Sequence, residues 1–414
     1  MRAIELFAGA GGLGIGVGMA GFRPLVVVER DQWCCQTLRE NRSRARSPVR
    51  NWPAPTEADI RSLDFARYEG AADIVTGGPP CQPFSIGGLH RAHDDNRDMW
   101  GEAARVVRET RPRAFIFENV KGLTRQAFSD YLGYILLQLQ HPSVAKRRNE
   151  DWADHLRRLD RHHTARGEIE YRVVHRLLNA ADFGVPQKRE RVVFVGFRAD
   201  IDAGWTFPDA THSHDALLFD QFRTGEYWDR HRVAARDRAV SPRLAERGRS
   251  IFLPPFEKPW RTVRDAIGDL PDPKTQPDRA RRHANHRFQD GARAYVGHTG
   301  SLLDEPAKTL KAGVHGVPGG ENMLRRADGS VRYFTVRESA RLQTFPDSYV
   351  LHGSWTEAMR QIGNAVPVTL GYVIAQSVAR HLAPRGRRGA GDGRKPIQSA
   401  GPAKSRKKRS RGAS

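Results

Sequence analysis

Over the first 200 residues, short apolar runs alternate with polar stretches of helical length. "AIELFAG", "RPLVVVE", "ADIVTGG", "RAFIFENV", "YRVVHRLLNA" and "RVVFVGF" read as successive strands. That alternation is the βαβ pattern of a mostly parallel sheet with helices on both faces. Ahead of the last two strands, residues 141–167 ("HPSVAKRRNEDWADHLRRLDRHHTARG") carry little apolar content and predict a surface helix inserted into the domain.

The pattern changes after residue 200. Residues 201–330 hold short apolar pieces among many Gly, Pro, His and Arg, with no helical period, which predicts a smaller, loop-rich domain. Helical patterns return in "TVRESARLQTF" and "LGYVIAQSVARHL", the latter packing back on the first sheet. The division predicted is therefore 1–200 and 201–356 as two domains across a cleft, 357–383 as a helical return, and 384–414 as a tail. No internal repeat is visible.

Composition narrows the class. A chain of 414 residues is long enough for two or three domains. No run reaches about 18 apolar residues, so no membrane span is expected, and "MRAIELFAGAGG" enters a strand with no leader pattern. Cys34, Cys35 and Cys81 are the only cysteines, a usage that fits a reducing cytoplasm rather than a disulfide framework. Net charge is +21, and the Gly-, Ser- and Pro-rich tail 384–414 contributes eleven Lys or Arg against one Asp. Such a tail should be disordered, and the excess charge points to a polyanionic partner, nucleic acid above all. The tail either adds non-specific affinity for that partner or has no role.

Candidate chemistry gathers at predicted strand ends. "TGGPPCQPFS" places Cys81 just past a strand, on backbone stiffened by Pro79, Pro80 and Pro83, where open α/β sheets hold their reactive groups. Cys81 is thus a candidate nucleophile. "FIFENV" brings Glu118 and Asn119 to the same sheet edge, and in "GVPQKRERVVFVG" an extended backbone would put Gln187, Arg189 and Arg191 on one face. Three donors aimed one way suit a polar, partly anionic substrate. Gly9, Gly11 and Gly14 satisfy G-x-G-x-x-G after the first strand, with Glu29 closing the second strand and Asp59 in a third loop. That turn serves close packing, a nicotinamide cofactor or S-adenosylmethionine, and the spacing of Gly9, Glu29 and Asp59 favours the last. The adjacent Cys34 and Cys35 read as helix residues behind Glu29.

Six blocks in order, "LFAGAGG", "GGPPCQPFS", "ENV", "GVPQKRER", "RESARLQTFPDSY" and "QIGNAVP", make the chain resemble the DNA (cytosine-5)-methyltransferases of bacterial restriction–modification systems over residues 1 to about 382. The resemblance implies an α/β, Rossmann-like S-adenosylmethionine-dependent fold: a twisted, mostly parallel sheet with a smaller target-recognition domain. It implies attack of the Cys81 thiolate on C6 of a flipped-out cytosine, Glu118 at N3, Arg191 at O2, and support of the pocket by Arg189 and Gln187. Phe7, Ala8, Gly9, Gly11, Gly12 and Pro80 would line the cofactor pocket, with Glu29 at the ribose, Asp59 and Ile60 at the adenine, and Asn364 completing it. Trp100 stands where the family usually carries a smaller aliphatic. Residues 85–98 would form a mobile loop over the flipped base, with Gln82, Ser85 and Arg97 on DNA. Lys308, Thr309 and Lys311 are phosphate-contact candidates in the recognition region. No metal is implied. Double-stranded DNA is the implied partner of a monomeric enzyme, with a cognate restriction endonuclease in the same system. One branch of the family modifies tRNA, and a DNA-binding regulator without activity is a third reading.

Overall fold

The computed structural model describes residues 1–80, 98–165, 168–201, 204–238, 241–312 and 322–383. Cys81, Gln82, Ser85, Arg97, nearly all of the predicted loop 85–98 and the tail 384–414 lie outside the described residues. Seven strands make the main sheet: β1 (Arg2–Leu6), β2 (Arg23–Glu29), β3 (Thr56–Glu57), β4 (Ile74–Gly77), β5 (Ala114–Val120), β6 (Tyr171–Asn179) and β7 (Glu190–Arg198), in the order β3-β2-β1-β4-β5-β7-β6. The first five are parallel, and β7 runs antiparallel to both β5 and β6. The expected mostly parallel sheet is therefore present, closed at one side by an antiparallel pair.

Period-two alternation sorts the strand side chains between two apolar layers. Ile4, Leu6, Phe115, Phe117, Val192 and Phe194 face α3 (Trp100–Thr110) and α4 (Ser129–Gln140). Ala3, Ile74, Ala114, Ile116, Val193 and Val195 face α1 (Gly12–Met19) and the C-terminal helix Val368–Leu382. These two helices touch backbone to backbone: a Cβ on Gly16 would lie 2.5 Å from the amide nitrogen of Tyr372. Within Trp355–Leu382 the most apolar stretch is 67% buried inside the protein. Packing against α1 accounts for that composition.

The charged insert contains α5 (Trp152–Thr164), as predicted, but the helix is also anchored. Leu159 enters the core, and His155 bonds both Tyr134 Oη at 2.8 Å and the carbonyl of Val144 at 2.7 Å.

Beyond β7 the chain is loop-rich, as its pattern predicts, and its regular elements are short. The region holds β8 (His212–Ser213), α6 (His214–Phe219), α7 (Glu226–His231), α8 (Pro242–Arg249), β9 (Lys258–Pro259), α9 (Val263–Ile267), α10 (Pro277–Ala280), β10 (Ser301–Leu302), β11 (Met323–Arg325) and β12 (Val331–Tyr333). Each helix is one or two turns long, too short for a 3.6-residue repeat to emerge in sequence. Side-chain caps stabilise some of them, as in the reciprocal Thr262–Asp265 capping box that opens α9. The chain then returns through α11 (Val336–Leu342), α12 (Trp355–Asn364) and α13, the helix Val368–Leu382 already placed against α1.

Glu5 is a buried acid within this core. Its carboxyl accepts the Thr76 hydroxyl and lies under Gly14, where a Cβ would sit 3.0 Å from the carboxyl carbon. Burial pushes its pKa up to about 7, with Thr76 and the Gly14 amide pulling the other way. The folded value exceeds the unfolded one, so the group stabilises the fold fully below the unfolded pKa of about 4.5 and loses that contribution as pH rises through about 7. Glu5→Gln removes the charge and keeps the shape. It is expected to be near-neutral at pH 5 and to raise stability by about 3 kcal/mol at pH 8, read by denaturant titration at both values. A difference independent of pH would contradict a neutral buried acid.

Candidate active site at the carboxyl edge of the sheet

Parallel pairing brings the ends of β1 to β5 to one edge. Gly77 of β4 is in register with Phe117 of β5, which sets Gly78 beside Glu118. A Cβ on Gly78 would sit 3.3 Å from Glu118 Oε2, so the glycine leaves room for the carboxyl. Asn119 donates its amide to the carbonyl of Pro79 at 2.9 Å and fixes the chain two residues before Cys81. On the other side, Val120 pairs with Arg191 in the antiparallel register of β7. Arg191 Nε lies 2.7 Å from Glu118 Oε1, and each side chain is only 10% exposed.

Burial raises the pKa of Glu118, while Arg191 and Arg189 pull it back down. Burial likewise lowers that of Arg191, with Glu118 opposing. Arg191 Nη1 donates to the carbonyl of Glu190 at 2.7 Å, and Nη2 has no protein acceptor among the described residues.

The "QKRER" segment does not aim three donors at one ligand. β7 begins at Glu190, and only Arg191 turns to Glu118. Arg189 is fully buried and donates to three carbonyls: Leu310 at 2.9 Å, Gly363 at 2.7 Å and Ala365 at 2.9 Å. Burial, with repulsion from Arg191, lowers its pKa well below the usual guanidinium value. Gln187 receives the amide of Leu310 at 2.9 Å and donates to the carbonyl of Leu342. Both side chains bind neighbouring backbone, because an interior strand flanked by loops must satisfy those carbonyls. This supporting arrangement was not legible in spacing. Its trace in sequence is the small pair Gly363 and Ala365, and Gly363 abuts the backbone of Ala312, where a Cβ would lie 2.3 Å from the amide nitrogen.

The cofactor candidates follow along the same edge. After β1 the chain turns left-handed at Phe7, Gly9 and Gly11, with φ of 52°, 53° and 83°. Gly9 borders open space, since a Cβ there would meet nothing within 4 Å, and its amide donates to Glu29 Oε2 at 2.7 Å. Glu29 Oε1 takes the amides of Arg30 and Asp31, which orient the carboxylate without exhausting its lone pairs. Gly11 and Gly12 serve packing instead: Gly11 abuts Leu38 and Tyr349, and a Cβ on Gly12 would sit 2.3 Å from the carbonyl of Val366. Ala8 is buried, its amide bonded to Val28.

β3 places Asp59 beside Glu29. Asp59 accepts Arg61 in a two-point contact that holds its pKa below the usual carboxylate range, and Arg30 adds a weaker bond at 3.4 Å. Ile60 is buried, with its carbonyl on Arg105. Pro80 is exposed and accepts the amide of Met99. Trp100 is buried edge-on to Phe117 and Phe194, and its indole nitrogen has no partner among the described residues. Asn364 ends α12 exposed, immediately before Ala365 and Val366, which pack on Gly12. The open space over Gly9 beside an oriented carboxylate suits the ribose and methionine parts of S-adenosylmethionine.

Lys308, Thr309 and Lys311 flank Leu310, and Lys311 abuts Gly363 beside Asn364. Lys308 bonds Thr299 through Nζ at 2.9 Å, and Thr309 donates its hydroxyl to the carbonyl of Lys188 at 2.7 Å. The Lys311 backbone is held in both directions by Asn322. Among the described residues, no group of three or more His, Cys, Asp or Glu is placed to hold a metal ion.

A mostly parallel sheet whose carboxyl edge presents a glycine turn, an oriented acid and a buried acid–guanidinium pair defines a Rossmann-like methyltransferase. The chain belongs to the C-5 cytosine-specific DNA methylase family, whose model matches residues 1–141 and 153–380. It is 31% identical over 386 residues to the type II methyltransferase M.PspPI of Psychrobacter sp. (strain TA137), covering 92% of this chain and 79% of that protein. M.Eco47II of Escherichia coli matches with the same identity and coverage. The crystal structure of S. pombe Dnmt2 methyltransferase shares the fold at 15% identity, with a TM-score of 0.52 over 92% of this chain and 98% of that one. The protein is therefore an S-adenosylmethionine-dependent C5-cytosine methyltransferase that binds double-stranded DNA and works through a catalytic cysteine.

Proposed function

We propose that the enzyme methylates one cytosine within a short, specific duplex sequence, with Cys81 as nucleophile, and so protects DNA from a cognate restriction endonuclease. The observation that carries the residue roles is the buried Glu118–Arg191 pair beside Gly78, three residues before Cys81. The target carbon lies inside the base stack, so the cytosine must be extruded. Its C5 is a poor nucleophile until aromaticity is interrupted. The Cys81 thiolate forms a bond to C6, and the ring electrons move toward C5 and N3. Glu118 holds the proton at N3, and burial keeps that carboxyl protonated to higher pH than usual. Arg191 Nη2 remains for the O2 oxygen. S-adenosylmethionine, which Gly9 and Glu29 would help to hold, supplies the electrophilic methyl group when bound. A water then takes the C5 proton, the C5–H electrons restore the C5–C6 double bond, and the C6–S pair returns to sulfur and frees the Cys81 thiolate.

In this reading residues 1–200 carry catalysis, 201–356 read the DNA and 357–383 close the first domain. The protein acts as a monomer in the cytoplasm. M.PspPI and M.Eco47II, both named type II methyltransferases, support the restriction–modification role. Cytosine-methylation sequencing of plasmid DNA and tRNA from expressing cells tests it. One short recurring methylated DNA site is expected, and modification confined to tRNA would reassign the substrate.

Glu118→Gln should lower kcat by about 10²- to 10³-fold. The proton-holding form of Glu118 exists below its raised pKa and is lost as pH rises through it. The native pH–rate profile should accordingly show a falling limb above the ordinary carboxylate range that is missing in the variant. A limb common to both proteins would assign it elsewhere.

A further inference from the structure

Between α8 and β9, the segment Phe252-Leu253-Pro254-Pro255-Phe256 stands in solvent. Phe252 and Leu253 are each 80% exposed, and Phe256 is fully exposed at 106%. Isolated apolar side chains are ordinary on a surface, but two phenylalanines and a leucine exposed within five residues of proline-stiffened chain mark a contact site.

The surroundings specify the partner. From Arg223 to Arg261 the chain carries ten Lys or Arg against five Asp or Glu. The Arg223 guanidinium lies over the Phe252 ring, 5.9 Å from its centroid. Arg232, Arg243 and Arg249 are exposed and have no carboxylate partner among the described residues, unlike Arg230 and Arg247, which pair with Asp220 and Asp215.

The turn is also tied to the active-site edge. β9 follows it directly and pairs with β8. Trp260, next in the chain, donates its indole N–H to Asp182 at 3.0 Å, in the turn that leaves β6 beside Glu190. Lys188, neighbour of Arg189, places its ammonium 5.9 Å from the Trp260 ring. An apolar tip with Arg223 over it, on an arginine-rich stretch of chain, is therefore tied to the edge that holds Glu118 and Arg191.

We propose that Phe252–Phe256 is a wedge that enters the DNA duplex, its rings against a base step and the arginines of its stretch on the flanking phosphates. A duplex matches both features, with stacked base faces for the rings and phosphates for the arginines. The proposal rests on DNA being the substrate and adds a use for the contact. Base extrusion costs stacking energy, and rings occupying a nearby step replace part of what is lost.

Both rings are exposed, so their substitution leaves the core untouched. The Phe252→Ala/Phe256→Ala variant should keep its melting temperature yet bind a duplex bearing the methylated site about 10- to 100-fold more weakly. KM for DNA should rise with it. In a Phe252→Trp variant, the added fluorescence should be quenched by saturating duplex beyond the quenching seen in the native chain. Native affinity and KM in the double variant, with no extra quenching, would overturn the wedge. So would unchanged DNA affinity with a shift in elution volume, which would make the patch a contact between copies. If the native chain, run in parallel, leaves DNA unmethylated, the DNA reading fails and the wedge with it. Native methylation beside unaffected variants overturns the wedge alone.

Discussion

Replacing Cys81 with alanine is expected to lower methyl transfer by roughly four orders of magnitude or more, with DNA binding largely retained. Without a bond at C6, the cytosine ring keeps its aromaticity and C5 has no electron density to offer. No other cysteine can substitute. Cys34 and Cys35 are buried on α2 (Gln32–Ser43), where burial and the carboxylate of Glu29 push their thiols up, Cys35 to about 12. Neither supplies a thiolate near neutrality. The measurement is labelled-methyl transfer to a duplex containing the site, paired with trapping on a 5-fluorocytosine duplex. The native enzyme should give an adduct that survives denaturing electrophoresis, and Cys81→Ala should give none. An adduct formed by the variant would move the nucleophile elsewhere.

Much of this was legible because apolar runs and sharp turns are local. The six predicted strands of residues 1–200 are all present, and the glycine turn after β1 takes the positive φ values that its residues suggest. Glu118 and Arg191 were nameable from strand ends, since parallel pairing must deliver them to one edge. What spacing could not show is the direction of a buried side chain. Arg189 and Arg191 have identical chemistry two residues apart, yet one meets a carboxylate and the other three carbonyls. Gly9, Gly11 and Gly12 look alike in "FAGAGG", but only Gly9 opens on free space. The short helices beyond residue 200 were hidden for a different reason, because one or two turns pack without a sustained stripe. The exposed "FLPPF" was unremarked among other apolar pieces, since only the fold shows which of them remain outside.

Arg189 is where the greatest loss of stability is expected. Its guanidinium joins the chain just before β7 to Leu310 and to Gly363 and Ala365 at the end of α12, three segments far apart in sequence. Arg189→Met fills similar volume but leaves three buried carbonyls without these donors, each costly to strand. The charge itself is expensive to bury, and removing it returns part of that cost. The net expectation is a loss of about 3 kcal/mol, seen as a melting temperature lower by roughly 5 °C or more. Arg189→Lys should recover little, because one ammonium lacks the planar fork that reaches carbonyls on two sides. Activity should fall further than stability alone explains, since Ala365 and Val366 pack on Gly12 and Arg191 follows two residues along β7. The check is a denaturation curve beside KM for S-adenosylmethionine and for DNA. A rise in both KM values with a lowered melting temperature fits a strut joining β7 to the segments of Leu310 and of Gly363 to Ala365. A variant with native stability but lost turnover would instead put the guanidinium on the substrate, where the strand-face pattern alone would aim it.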